Sequence, residues 1–285
     1  MRIAIFSILA FSLVVGLCPG INVALGGDIA PAHHPWGNFK PGAWKLVRVI
    51  TETLDDQGKV SGTSKTEKKT TLMNVEDDGV TLEINVCVEV GGKIFRRDPQ
   101  TVKQGLHGER VGEDVKFKEA GTGQVTVEGR NVPCKIMQLD SSDSNGKTVT
   151  KLYYCTTEPP YILKRESATT DPEGKTTLSE RSVEVVARDM PYRVLAEIIP
   201  TTIVKTVHKH PKGVIITWSR TAADVPGGVV SQSTKEIDKQ GRLIRRSTLE
   251  LIEYSLEPEA GRTGLFGRKR SAARARKVSP RHGPR

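Results

Sequence analysis

The chain has 285 residues, a formal charge of +10 and only 5% aromatic residues. That length allows one large domain or two small ones with a real core. The charge is not spread over it: no acid follows Glu259, while Arg262, Arg268, Lys269, Arg270, Arg274, Arg276, Lys277, Arg281 and Arg285 are all basic, and without these and Arg2 the remainder is formally neutral. This excludes a body that binds polyanions through its net charge alone.

Residues 1–26 have the form of a secretory signal. Arg2 precedes an apolar run from Ile3 to Leu17 that is too short to span a membrane comfortably, and Ala24-Leu25-Gly26 offers small residues for cleavage. Retention as an anchor and lipidation at Cys18 are the alternatives, although Leu17 is larger than a lipidation signal wants before its cysteine. The predicted location is periplasmic or extracellular. Residues 27–43 form an extended lead-in with His33-His34-Pro35-Trp36 and no periodicity. At least one of Trp36 and Trp44 is expected to plug an end of the fold, because aromatics are scarce here and each buries a large area.

An antiparallel β domain is predicted over 44–257. One turn recurs four times, as Asp55–Lys59, Asp143–Lys147, Asp171–Lys175 and Asp238–Arg242, each an acid, two variable residues, Gly and a base. An Asp there bonds the backbone two residues on, and Gly supplies the positive φ of a tight hairpin. Between the turns lie segments rich in Val, Ile, Thr and Tyr, which together read as a meander. The clearest strand is 80–90, with Val80, Leu82, Ile84, Val86, Val88 and Val90 on one face and Thr81, Glu83, Asn85, Cys87 and Glu89 on the other. Gly91-Gly92 turns it back. Residues 97–123 read as polar loops around short edge strands, and short helical turns are allowed near Met190–Ile199. Two hairpin units, about 125–190 and 200–256, echo each other with Pro159 over Pro226 and Asp171 over Asp238. From 258 to 285 a disordered basic tail is predicted, since Gly, Arg, Ala, Ser and Pro cannot bury enough apolar surface to offset ordering.

The rhythm of strand, short link, Pro, strand and D-x-x-G turn, carried by Leu152-Tyr153-Tyr154, Pro160-Tyr161-Ile162-Leu163 and Asp171–Gly174 and again by Trp218, Pro226, Val229-Val230 and Asp238–Gly241, resembles the lipoprotein-carrier (LolA/LolB-like) superfamily and related exported bacterial β proteins. The resemblance implies a large curved antiparallel sheet, a half-barrel of hairpins whose concave apolar face holds acyl chains. The lid helices of that superfamily are not evident here.

Cys134 and Cys155 are equidistant from the turn at Asp143–Gly146, which places them opposite each other in a hairpin of even loop length. They are a disulfide candidate in an oxidising compartment, or two small buried hydrophobes if a bulge shifts the register. His208-Lys209-His210 puts two imidazoles on one strand face without further ligands beside them, so no metal site and no cofactor are assigned. No nucleophile elbow, zinc-protease motif or phosphate loop is present, and the expectation is a non-catalytic protein. The first functional expectation is a carrier or sensor of an apolar ligand or lipidated peptide on the face of Val80, Leu82, Ile84, Val86, Val88 and Val90. The second is a structural envelope protein with a closed core, whose tail (Arg268, Lys269, Arg270, Arg274, Arg276, Lys277) meets an anionic polymer or membrane surface, nucleic acid being the least expected partner.

Overall fold

The computed structural model describes residues 29–109, 115–144, 146–157 and 159–258. The signal segment, Cys18 and the tail cations Arg268–Lys277 lie outside these described residues. Fourteen strands run through them: β1 (Trp44–Leu54), β2 (Val60–Glu76), β3 (Gly79–Val90), β4 (Lys93–Arg96), β5 (Gln100–Gly105), β6 (Val115–Val127), β7 (Arg130–Asp143), β8 (Gly146–Tyr154), β9 (Ile162–Thr170), β10 (Thr177–Val194), β11 (Glu197–His210), β12 (Gly213–Thr221), β13 (Val229–Asp238) and β14 (Leu243–Ser255). A single 3₁₀ turn, Pro31–His33, is the only helical element among the described residues. All strands join one antiparallel sheet in the order β4-β3-β2-β1-β14-β13-β12-β11-β10-β9-β8-β7-β6, with β5 also paired to β3. The fold class is thus the one expected, a large curved, unclosed sheet of hairpins.

The recurrent turns set the meander. Asp55 Oδ1 accepts the amides of Gln57 and Lys59 at 2.9 Å, and Asp238 Oδ1 accepts those of Gln240 and Arg242 at the same distance. Asp171 Oδ1 takes the Lys175 amide at 2.8 Å. Gly58, Gly174 and Gly241 have φ of 75°, 77° and 80°, where a Cβ would be strained.

Curvature follows from the connection between the two sheet edges. Strand β5 ends at Gly105 beside β3, and β6 begins at Val115 on the far edge. The link between them can reach roughly 30 Å at most, at about 3.5 Å per residue. Its start turns inward: Leu106 packs with Leu139 and Leu152 of β7 and β8, and an Arg165 guanidinium N–H of β9 donates to the His107 carbonyl. The sheet therefore rolls into a trough, and its edges approach without pairing.

One end of the trough is closed by the lead-in. His33 stacks on Tyr161 at 3.6 Å between centroids and bonds the Tyr154 hydroxyl, Ile29 joins the cluster of Leu139 and Leu152, and Trp36 packs on Leu72, Val80 and Leu82. The Gly227 amide donates to Pro35 O at 3.0 Å, and a Cβ on Gly227 would come within 2.6 Å of the Trp36 ring. Both expected indole plugs, Trp36 and Trp44, are buried.

Two regions differ from expectation. Residues 115–123 belong to one long edge strand, Val115–Val127, instead of loops; its larger apolar residues, Val115 and Phe117 at one end and Val125 and Val127 at the other, are separated by the exposed run 119–122. Residues 190–199 belong to the β10–β11 hairpin instead of helical turns, with Leu195 rather than a glycine at φ 55° in its turn.

Candidate functional site on the concave face

Directly opposed residues of neighbouring strands share a face, so the inner surface can be followed across the sheet. One row runs Met137–Leu152–Arg165–Val183–Thr206–Thr217–Thr234–Ser247–Thr51–Ser64–Val90. Nearer the hairpin tips lies Leu139–Thr150–Ser167–Arg181–His208–Ile215–Glu236–Arg245–Thr53. Nearer the closed end lies Val185–Val204–Ser219–Gln232–Leu249–Val49–Thr66–Val88–Phe95, followed by Leu251–Val47–Lys68–Val86 and Tyr254–Lys45–Thr70–Ile84. Met137, Leu152, Val185, Val47 and Leu251 are buried, which identifies this as the core-facing side.

The trough therefore has two characters. At its mouth the rows are rich in hydroxyls, and three pairs of them are bonded: Thr150 to Ser167 at 2.9 Å, Thr148 to Thr169 at 2.9 Å and Thr217 to Thr234 at 3.0 Å. Deeper in, Val49, Val86, Val88 and Leu249 make a half-buried apolar strip that ends on the exposed Phe95.

The face predicted from Val80–Val90 divides along its length. Val80 and Leu82, at 0% and 6% exposure, are covered by the chain's own Trp36 and Leu72, and so they are removed from any ligand surface. Ile84, Val86 and Val88 are half-buried and Val90 is 40% exposed. Leu249, in register with Val49, joins them, and Val230 is the buried core residue of β13.

The β7–β8 ladder pairs Lys135 with Tyr154, which sets Cys134 opposite Cys155, as the spacing around the turn predicted. Both thiols are free and lie in one cluster with Leu163 and Val185. Burial, with Cys155 adding to it, raises the Cys134 thiol. Cys87 lies on the outer face, in register with Glu67 and Arg96. The His208 and His210 rings are 5.4 Å apart, and no group of three potential metal ligands occurs among the described residues.

Composition and periodicity did not single out the inner-facing cations. Lys45 Nζ donates to Gly227 O at 3.1 Å and Val229 O at 3.4 Å, with the Trp36 ring 5.6 Å away. Burial, and then the charge of Lys68, lowers Lys45 to about 7. Burial also lowers Lys68, and it lowers Arg165, where Arg181 acts the same way and Glu109 opposes. The one signal available was their position: each falls on the inner parity of a strand whose other inner residues are uncharged, chiefly Val, Leu, Thr and Ser.

No family model matches the chain, and none of the curated proteins matches it either. Two solved structures are similar at low identity. One is a protein described as a lipoprotein from Parabacteroides distasonis ATCC 8503, 13% identical over 75% of this chain and 97% of that one, with a TM-score of 0.33. The other is described as an exported protein with a YmcC-like fold from Bacteroides fragilis NCTC 9343, 12% identical with the same coverage and a TM-score of 0.31.

Proposed function

We propose that the chain is an exported, non-catalytic binding protein that takes an elongated, largely apolar ligand on the concave face of its sheet. One observation carries this reading: the lead-in fills one end of the trough, yet the adjoining strip of Val86, Val88, Val49, Leu249 and Phe95 stays half-exposed on the same inward face. A mostly apolar, pre-formed concavity is what a ligand of this kind requires. Burial at about 25 cal/mol per Å² of apolar surface would drive binding, and the hydroxyl-lined mouth would set the limit of the apolar footprint.

The test is titration of the protein with a fluorescent single-chain fatty acid, alongside native mass spectrometry of material purified from an exporting host. Stoichiometric uptake, abolished by Val88→Asp in a variant that keeps its far-ultraviolet spectrum and melting point, supports the reading. A clean unliganded mass with no uptake of the probe overturns it. Export through residues 1–26 belongs to the same proposal, and a processed N-terminus in secreted material is its readout.

A further inference from the structure

The sheet divides its charges between its two faces. On the outside, acid meets base across strands: Arg48 with Glu67 at 2.9 Å, Arg246 with Glu52 at 2.5 Å, Lys164 with Glu184 at 3.7 Å and Lys209 with Glu180 at 3.5 Å. On the inside, the rows traced above hold a single carboxylate between β9 and β3, that of Glu236, and it is paired with Arg245 at 3.3 Å. The remaining inner cations of those rows, Lys45, Lys68, Arg165 and Arg181, make no ion pair among the described residues. In the rows of Val47, Lys68 and Val86 and of Lys45, Thr70 and Ile84 the charges are all positive, and such a one-sign lining focuses its field on ligands of the other.

Among these cations Lys68 stands apart. Lys45 is held by two carbonyls and an indole, and Arg165 by the His107 carbonyl. Lys68 makes no hydrogen bond among the described residues, and it lies in register between Val47 and Val86, on the floor of the apolar strip. Desolvating an ammonium group without a partner is costly, and an incoming anion relieves that cost. Lys45, one step along on the neighbouring strand, brings a second amine to the same spot.

Resting on the reading above, we propose that Lys68 receives the acidic headgroup of a single-chain amphiphile, a carboxylate or a phosphate monoester, whose hydrocarbon lies along Val86, Val88, Val49 and Leu249. The surface next to Lys68 argues for an amphiphile over an acidic glycan, because its register neighbours Val47 and Val86 are hydrocarbon and offer a sugar no hydrogen-bonding partner.

The experiment compares dodecanoate, dodecyl phosphate and dodecanol by calorimetric titration below their aggregation limits, on the wild-type protein and on Lys68→Met. The acids are expected to bind at least about tenfold tighter than the alcohol, the effect of one charge-assisted contact. In Lys68→Met that preference should vanish while dodecanol binds as before. Tighter dodecanoate identifies a fatty acid as the source of the anion, tighter dodecyl phosphate a phospholipid fragment, and either supports the assignment. Equal binding of all three to the wild type overturns the headgroup site but leaves the concave-face reading standing. A preference that survives Lys68→Met also overturns the assignment, and no binding of any of them overturns both.

Discussion

The two ends of the trough are built from the same strands yet stabilised in different ways. At the closed end the strands lean on something: Trp36, His33, the turn at Leu106-His107 and the loop Ala222–Gly228 fill the interior, and Leu72, Leu152, Leu163 and Val225 are almost wholly buried. At the mouth, beyond the Leu139 cluster, the strands from β10 to β14 lack a buried core and are held by their ladders, their Asp-Gly turns and hydroxyl pairs. Strand pairing alone keeps a sheet in register, but packing supplies most of its stability. The proposed ligand surface lies where packing gives out.

Substitutions can break this comparison. The largest effect is expected from Trp36→Ala, which empties the plug and should cost about 3–5 kcal/mol in denaturant unfolding. The matched change on the exposed outer face, Trp218→Ala, should cost less than about 1 kcal/mol, and equal losses would show that the ends are not different. Next comes the pair Cys134 and Cys155. Oxidising the free thiols with glutathione disulfide should form a bridge worth about 2–4 kcal/mol, detected as a mass loss of two hydrogens and a raised melting point. Two thiols that stay titratable would count against it. A smaller effect distinguishes two glycines in left-handed backbone. Gly227→Ala should cost about 1–3 kcal/mol because its Cβ meets the Trp36 ring, whereas Gly241→Ala, with open space around it, should cost only about 1 kcal/mol for its backbone.

The last test is one of pH. Lys45 is lowered to about 7 in the fold and sits near 10.4 when unfolded, so between these values the unfolded chain binds a proton that the folded one does not. Stability then rises with pH across that window, by up to about 1.4 kcal/mol per unit. Lys45→Met should flatten the rise. A slope that persists in the variant would place its origin elsewhere.

The sequence announced the mouth better than the closed end. Each Asp-x-x-Gly turn is a local device whose bonds form within five residues, so Asp55, Asp171 and Asp238 could be read without knowing what lay across the sheet. The same holds for strict alternation in 80–90 and for the register that sets Cys134 opposite Cys155. The lead-in could not be read this way. His33, His34 and Trp36 find their partners at Tyr154, Tyr161, Leu72 and Gly227, all distant in the chain, and no periodicity marks such contacts. Nor was the cationic lining legible, because Lys68 stands beside Lys69 and only register shows that the first faces in and the second out. The first part of β6 was missed for a related reason, since the exposed run 119–122 interrupts the alternation that normally betrays a strand.

The pairing of β1 with β14 joins the two ends of the strand series. Nearly every other ladder is a hairpin that can form as soon as its turn is made, but this seam must wait until the last strand exists. Folding should therefore be paced by one closure of long sequence separation, arriving after fast local zippering. Until then β1 and β14 each present a bare edge, the state in which such a chain is most exposed to pairing with a neighbour. Slow single-exponential refolding that speeds up when the ends are tethered would be the kinetic mark of that seam.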